Sequence, residues 1–420
     1  MQLNESAVAF CETFDQAFTP GNRSGQLDGT LWGVSRLTGN NNLGQGLLDA
    51  WSPSTIDACD GSHPARPDSS DVIVCNGQLR ESSNDGGSVT TLALYPKQPF
   101  DFAGRTGTVA FEVSNDSLGP HDVWPEFWLS DQPVPAPFLH GSCDTCSLPR
   151  HGLGVRFSAS FAPGQGGQAP NCPSDGHRRW TVDSLVIVRN YVAQEISLMG
   201  RTQGCVIASS GPDGALNHVE LRISQDQVEV WASDAGTSSL KLLSRTSDAN
   251  LSFTRGLVWM EDVHYNAEKA GGTHANHTFT WDNLAFDGPA PYRDLSFDVL
   301  DSLLPAGSGA LSLGWVSSPS SPARLTTLPM SAGNIAAAHS ALLMFNFGYD
   351  PVSTFSYSIN GQAFTAPSPF APSWAMGHSV ALPVPLSALV PGPQQIVLSG
   401  DAGMIVANVN IVLVGAGTVP

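Results

Sequence analysis

The chain has 420 residues, with 42 glycines, 31 prolines, 13% charged residues and a formal net charge of −18. That length exceeds one ordinary domain and suits two or three, with two the default. The acidic balance excludes a phosphate-backbone partner, which needs clustered Lys and Arg, and fits a neutral glycan better.

Segments rich in Val, Thr, Phe, Leu and Ser alternate with Gly, Asn, Asp and Pro clusters, an all-β pattern with many turns. In chain order it predicts strands over 79–81, 88–95, 107–114, 123–130, 152–161, 184–192, 218–223, 227–232, 257–265 and 277–286. Their spacing is that of a sandwich. Gly288 to Tyr292, with Pro289 and Pro291 inside it, reads as a linker and divides the chain into domains 1–288 and 289–420. The second domain carries strands over 295–300, 310–316, 341–347, 354–359, 378–382, 395–399 and 404–414, with a low-complexity loop over 317–322. Asn360-Gly361 signals a hairpin whose return strand is 362–365. Size and pattern suggest an immunoglobulin-like or jelly-roll accessory β-sandwich. The apolar runs 341–347 and 405–414 are too short to cross a bilayer as helices, and no signal peptide is visible at Met1.

Seven cysteines, Cys11, Cys59, Cys75, Cys143, Cys146, Cys172 and Cys205, all lie in the first half of the chain. Their Pro, Gly and Asp-rich surroundings read as loops stapled by disulfides, which points to a secreted, cell-surface or periplasmic protein. Cys143 and Cys146 form either a local disulfide or half of a metal or redox site. The odd count leaves one thiol over, which we assign to Cys11.

The most informative stretch is Val123 to Ser130, Val-Trp-Pro-Glu-Phe-Trp-Leu-Ser. In a strand, Trp124, Glu126 and Trp128 project from one face. An indole suits the apolar face of a pyranose and a carboxylate bonds hydroxyls or transfers protons, so this is either a sugar-binding surface or a core strand with Glu126 at its rim.

Four segments in order resemble the concanavalin-A-like jelly-roll proteins, in particular the laminarinase-like family 16 glycoside hydrolases. They are Phe10-Cys-Glu-Thr-Phe-Asp15 with Leu27-Asp-Gly-Thr-Leu-Trp32, then residues 99–113, then Trp124-Pro-Glu-Phe-Trp-Leu129, and last His277-Thr-Phe-Thr-Trp-Asp-Asn-Leu284. The resemblance covers residues 10–288 and implies a jelly-roll sandwich with a glycan groove. The family's Glu-x-Asp-x-Glu strand, which supplies nucleophile and acid/base, is missing. The strand that should carry it, Gly152-Leu-Gly-Val-Arg-Phe-Ser158, has no acid on either face, and fold resemblance by itself implies no activity.

The expected function is binding of a neutral polysaccharide or oligosaccharide, with hydrolysis an open question. For hydrolysis Glu126 needs a second carboxylate, and Glu261 or Asp262 is the best placed. Adjacent residues of a strand face opposite ways, so at most one of them shares the cleft. Trp124, Trp128, Trp259 and Tyr265 are the candidate sugar-contacting aromatics. His264 beside Tyr265 suggests a lyase-type alternative, since lyases of this fold class use His and Tyr to move protons. His264, His274 and His277 with Asp262 and Asp282 suggest a transition-metal alternative, or else solvated loop histidines. The resemblance also implies a structural calcium near Glu12 and Asp282, tying the first strand to the last. The non-catalytic alternatives are a lectin or an adhesion protein.

Overall fold

The computed structural model describes residues 8–15, 32–39, 69–84, 89–96, 98–116, 123–131, 147–149, 151–158, 160–161, 172–190, 192–198, 203–211, 214–265, 276–288, 299–303, 322–348, 355–366, 377–400 and 405–415. The chain divides into two compact units. The first comprises residues 1–34, 50–131 and 151–292; the second comprises 35–49, 132–150 and 293–420.

Two eight-stranded sheets build the first unit, apart from residues 35–39, which fall in the second. One runs Leu240–Thr246, Val228–Ser233, Asn217–Ile223, Gly107–Val113, Asn276–Asp287, Gln78–Asn84 and Ser69–Cys75, with Val8–Glu12 also paired to Asn276–Asp287. The other runs Val192–Ser197, Val182–Arg189, His151–Phe157, Val123–Ser130, Arg255–Tyr265, Val89–Pro96 and Trp32–Gly39, with Phe100–Asp101 also paired to Arg255–Tyr265. Neighbouring strands in both are antiparallel wherever their register is defined. Aromatic side chains fill the space between the sheets. Phe111 of the first stacks on Phe127 of the second with ring centroids 6.1 Å apart, and it also meets Phe157 and Trp281. All four are fully buried, each removing about 150–250 Å² from water.

The second unit is a smaller sandwich. A five-stranded sheet (Val299–Leu303, Ile405–Gly415, Ala338–Gly348, Gly377–Val384, Ser147–Leu148) and a four-stranded sheet (Ala323–Met330, Gly392–Gly400, Phe355–Ile359, Gln362–Thr365) make its layers. Leu343, Phe355, Ile359, Ile396, Leu398 and Ile411 lie in its core. The expected hairpin at Asn360-Gly361 forms: Ile359 pairs with Gln362, and both turn residues have positive φ (50° and 85°), as this tight turn demands.

Several elements differ from expectation, among them strands Ser69–Cys75 and Leu240–Thr246 and the helix Ala332–Ala337, and three differences have a local cause. The run 184–192 is two strands, Val182–Arg189 and Val192–Ser197, because Asn190 adopts φ 49° and turns the chain. The strand placed at 152–161 ends at Phe157, and Phe161 makes only an isolated bridge to Arg179. Ala323–Met330 is a strand despite Pro329, which sits where the register with Gly392–Gly400 shifts. The strand expected over 310–316 lies outside the described residues.

Candidate functional site

Phe127 packs inward on Phe111, so its alternating neighbours Trp124, Glu126 and Trp128 stand on the outer face of their sheet. Register then sorts the other candidates. Glu261 is the Cα partner of Glu126, and Trp259 of Trp128, so both share that outer face. Asp262 pairs with Pro125 and turns inward with Met260. Of the two carboxylates considered as a partner for Glu126, only Glu261 stands beside it. His264 and Tyr265 belong to the same strand, but their side chains lie outside the described residues.

The three residues of the tryptophan strand do not form an open platform. Trp124 Nε1 donates to Glu126 Oε1 at 2.5 Å, and Trp128 Nε1 donates to Glu126 Oε2 at 2.8 Å. Glu126 has no solvent exposure, Trp128 none and Trp124 only 3%. The indole edges are therefore turned onto the carboxylate between them, and the ring faces are covered too. The Arg156 guanidinium lies 3.8 Å above the Trp124 ring. Trp128 lies so close over Gly154 that a Cβ there would come within 2.8 Å of its ring atoms. Trp259 packs at a tilt on Tyr95 with centroids 4.4 Å apart, and burial pushes the Tyr95 hydroxyl above its ordinary range. The expectation that these tryptophans offer their faces to a pyranose is corrected by this packing. Each bond from an indole to the carboxylate contributes on the order of 1.5–3 kcal/mol, as hydrogen bonds to charged groups do.

His151–Phe157 lies directly beside the tryptophan strand, pairing Gly154 with Trp128 and Arg156 with Glu126. It therefore presents Gly152, Gly154 and Arg156 to the outer face, with no carboxylate among them. Arg156 reaches across to Asp183, with Nε 3.1 Å from Oδ2, and both side chains keep 15% exposure. Asp183 reaches that face because the register shifts between Arg156 and Phe157, where Ser184 and then Val182 are the paired residues. Sequence reasoning missed this ion pair. The Gly-x-Gly-x-Arg alternation places Arg156 in line with the tryptophan face, but the bulge that turns Asp183 toward it has no signature in sequence.

Glu12 and Asp282, the residues the resemblance implies for calcium, each hold hydrogen bonds of their own. Glu12 Oε1 accepts from the Phe14 N–H at 2.9 Å, and its Oε2 lies 3.4 Å from the Trp32 indole nitrogen. Asp282 accepts from the Asn283 N–H at 2.7 Å. Burial lifts its pKa to about 6 against that hydrogen bond, with Glu112 and Asp15 adding to the rise. No group of three or more His, Cys, Asp or Glu suited to a metal occurs among the described residues. His277 Nε2 stands 3.4 Å from Asp116 and its ring packs 4.5 Å from Phe279; His274 lies outside the described residues.

Cys172 and Cys205 form a disulfide, Cys75 is disulfide-bonded, and Cys11 is a free, exposed thiol as assigned from the odd count. Cys59, Cys143 and Cys146 lie outside the described residues. No helix among the described residues is long and apolar enough to cross a membrane.

No protein-family model and no curated protein matches the chain. Among solved structures it is similar to a prokaryotic β-1,3-1,4-glucanase (lichenase) derived from a mouse hindgut metagenome. Identity is 12% over 66% of this chain and 98% of that one, with a TM-score of 0.35. It is also similar to a Bacillus licheniformis β-glucanase, at 9% identity over 67% and 99% of the two chains with a TM-score of 0.35. The exoplasmic/lumenal domain of VIP36, in a Ca2+/Man3GlcNAc-bound form, follows at 11% identity over 64% and 88% with a TM-score of 0.35. The likeness is one of fold alone.

Proposed function

We propose that the first unit binds a neutral glycan on the outer face of the sheet containing Val123–Ser130 and does not cleave it. The observation that carries this reading is the strand beside Glu126. Its outward positions are Gly152, Gly154 and Arg156, so the carboxylates that a glycosidase places there are missing. Glu126 itself has an indole N–H on each oxygen, which suits a rigid floor better than a group that must gain and lose a proton. The acidic chain and the paired charge on this face both favour a ligand without phosphate, sulfate or carboxylate. The disulfides fit an oxidising compartment, and we place the protein outside the cytosol.

The test is incubation of the protein with insoluble and soluble neutral polysaccharides. Retention without new reducing ends supports the reading. Steady release of reducing ends overturns the non-catalytic half, and no retention on any glycan overturns the whole.

Hydrolysis is the second reading, and one observation favours it. Glu261 is the direct cross-strand partner of Glu126 on the same face, which sets their Cβ atoms about 5 Å apart. In that case Glu126→Gln and Glu261→Gln each abolish turnover while leaving retention in place.

A further inference from the structure

We infer that Arg156 and Asp183, seated on Trp124, form the recognition fork of that face, and that they select a neutral saccharide through a vicinal diol. The inference rests on the glycan-binding reading above and names the chemistry of its site.

Accessibility comes first. Trp124, Glu126, Trp128, Trp259 and Glu261 are buried, so none of them offers a surface to a ligand. Arg156 and Asp183 stand on the same face and each retains 15% exposure. Among the described residues of that face, they are an ion pair that meets solvent from a fixed position.

Preorganisation comes second. The guanidinium is fixed on two sides, by the indole 3.8 Å beneath it and by Asp183 Oδ2 at 3.1 Å from Nε. Trp124 is itself pinned through its Nε1 to Glu126. A chain of contacts therefore runs from the buried carboxylate through the indole to the fork. A ligand pays little ordering entropy to meet such a group, which is where binding gains most.

The chemistry of the fork then selects the ligand. Guanidinium donates from five N–H groups in a plane and accepts none; an ionised carboxylate only accepts. Side by side they offer a donor next to an acceptor. Two adjacent hydroxyls match this, one accepting from Nη–H while the other donates to Asp183. An anionic sugar meets Asp183 as a like charge. A cationic one meets Arg156. The neutral diol is left as the ligand that both halves accept. Lysine cannot replace the arginine, because a point charge neither lies flat on an indole nor keeps a fixed donor plane.

The experiment compares the wild-type chain with Arg156→Lys, Asp183→Asn and the double variant. The probe is an array of neutral glucans, mannans and galactans beside uronate- and sulfate-bearing glycans, followed by calorimetric titration of the best neutral oligosaccharide. Thermal melts accompany each variant. Each single variant is expected to bind about tenfold more weakly with its melting midpoint nearly unchanged, one lost hydrogen-bonding partner being of that size. The double variant should be little weaker than either single one, because the two groups act as a unit. Unchanged affinity in both single variants, with wild-type binding present, overturns the fork and leaves the glycan reading standing. Wild-type preference for anionic glycans overturns the neutral-diol class. A wild-type chain that binds no glycan overturns the underlying reading itself.

Discussion

Two glutamates in the first unit, each bonded by tryptophan two residues away, share a spacing and differ in their surroundings. Trp124 and Trp128 each lie two residues from Glu126, and Trp231 lies two residues from Glu229. In both places the indole N–H donates to the carboxylate along one strand face. Glu126 is closed off completely. Glu229 is shared among Trp231, Gln227 and Arg245, and Arg222 lies 4.7 Å over the half-buried Trp231 ring. The i, i+2 spacing thus suffices to make the bond, while the neighbouring strand decides what the bond is for. Gly154 lets Trp128 settle onto the backbone and seals one pair. Around Trp231, Arg222 and Arg245 reach water, and Arg245 pairs the other, also buried, carboxylate to the surface.

The sharpest way to break this comparison is to remove each carboxylate. Glu126→Leu leaves two buried indole N–H groups without their acceptor and should cost about 3–5 kcal/mol, or prevent folding. Glu229→Leu releases groups that water can satisfy and should cost about 1 kcal/mol. Urea denaturation of both variants measures the gap, and equal losses would mean that burial does not separate the two pairs.

Next in size is Gly154→Ala, which leaves every hydrogen-bonding group in place. Its methyl would come within 2.8 Å of the Trp128 ring, so about 1–3 kcal/mol of overpacking is expected. Wild-type stability in this variant would show that Trp128 can lift away and that the seal is loose. A smaller effect belongs to the open pair: Arg222→Ala should cost under about 1 kcal/mol, the range of an exposed cation–π contact, measured in the same denaturation series.

How much of this was legible in the sequence follows from what each feature depends on. Strand alternation was readable, so the all-β sandwich and the shared face of Trp124, Glu126 and Trp128 were expected and are observed. The Asn360-Gly361 turn was readable because two positive φ angles need those residues. Asn76-Gly77, with φ of 53° and 74°, makes the same turn between Cys75 and Gln78, and the same signal would have located it. The direction of the indoles was not readable. A tryptophan on a strand face either lies flat toward solvent or turns its N–H onto a neighbour, and the choice depends on Gly154 and Arg156, which reach it only through sheet pairing. The cross-strand meeting of Glu126 with Glu261 is likewise a matter of register between segments about 135 residues apart. The parallel pairing of Ser147–Leu148 with Gly377 and His378 depends on a still longer return of the chain.

The smallest effect sharpens the comparison by pH. The face that bears Trp231 also carries His218, Glu112 and Asp282, which are aligned as successive strand partners. Two of its carboxylates shift in opposite directions. At Glu229 burial pushes upward, but the Trp231 N–H and Arg245 outweigh it and hold the carboxyl below its ordinary range. At Asp282 burial dominates, and the pKa rises from 3.8 to about 6. A carboxyl whose pKa is higher in the folded state binds its proton more tightly there, so its contribution to stability falls as pH rises from about 4 and is fully lost above about 6. Glu229 works the other way, its contribution being lost as pH falls through its depressed folded value. Asp282→Asn should therefore melt higher than wild type at about pH 7 and together with it at about pH 4, by less than the full shift implies because the group is only half-buried. Thermal midpoints across that window test the sign. A constant offset at every pH would assign the effect to lost packing rather than to the buried charge, and a melting point that drops at neutral pH would mean that the ionised carboxylate is held by a cation after all.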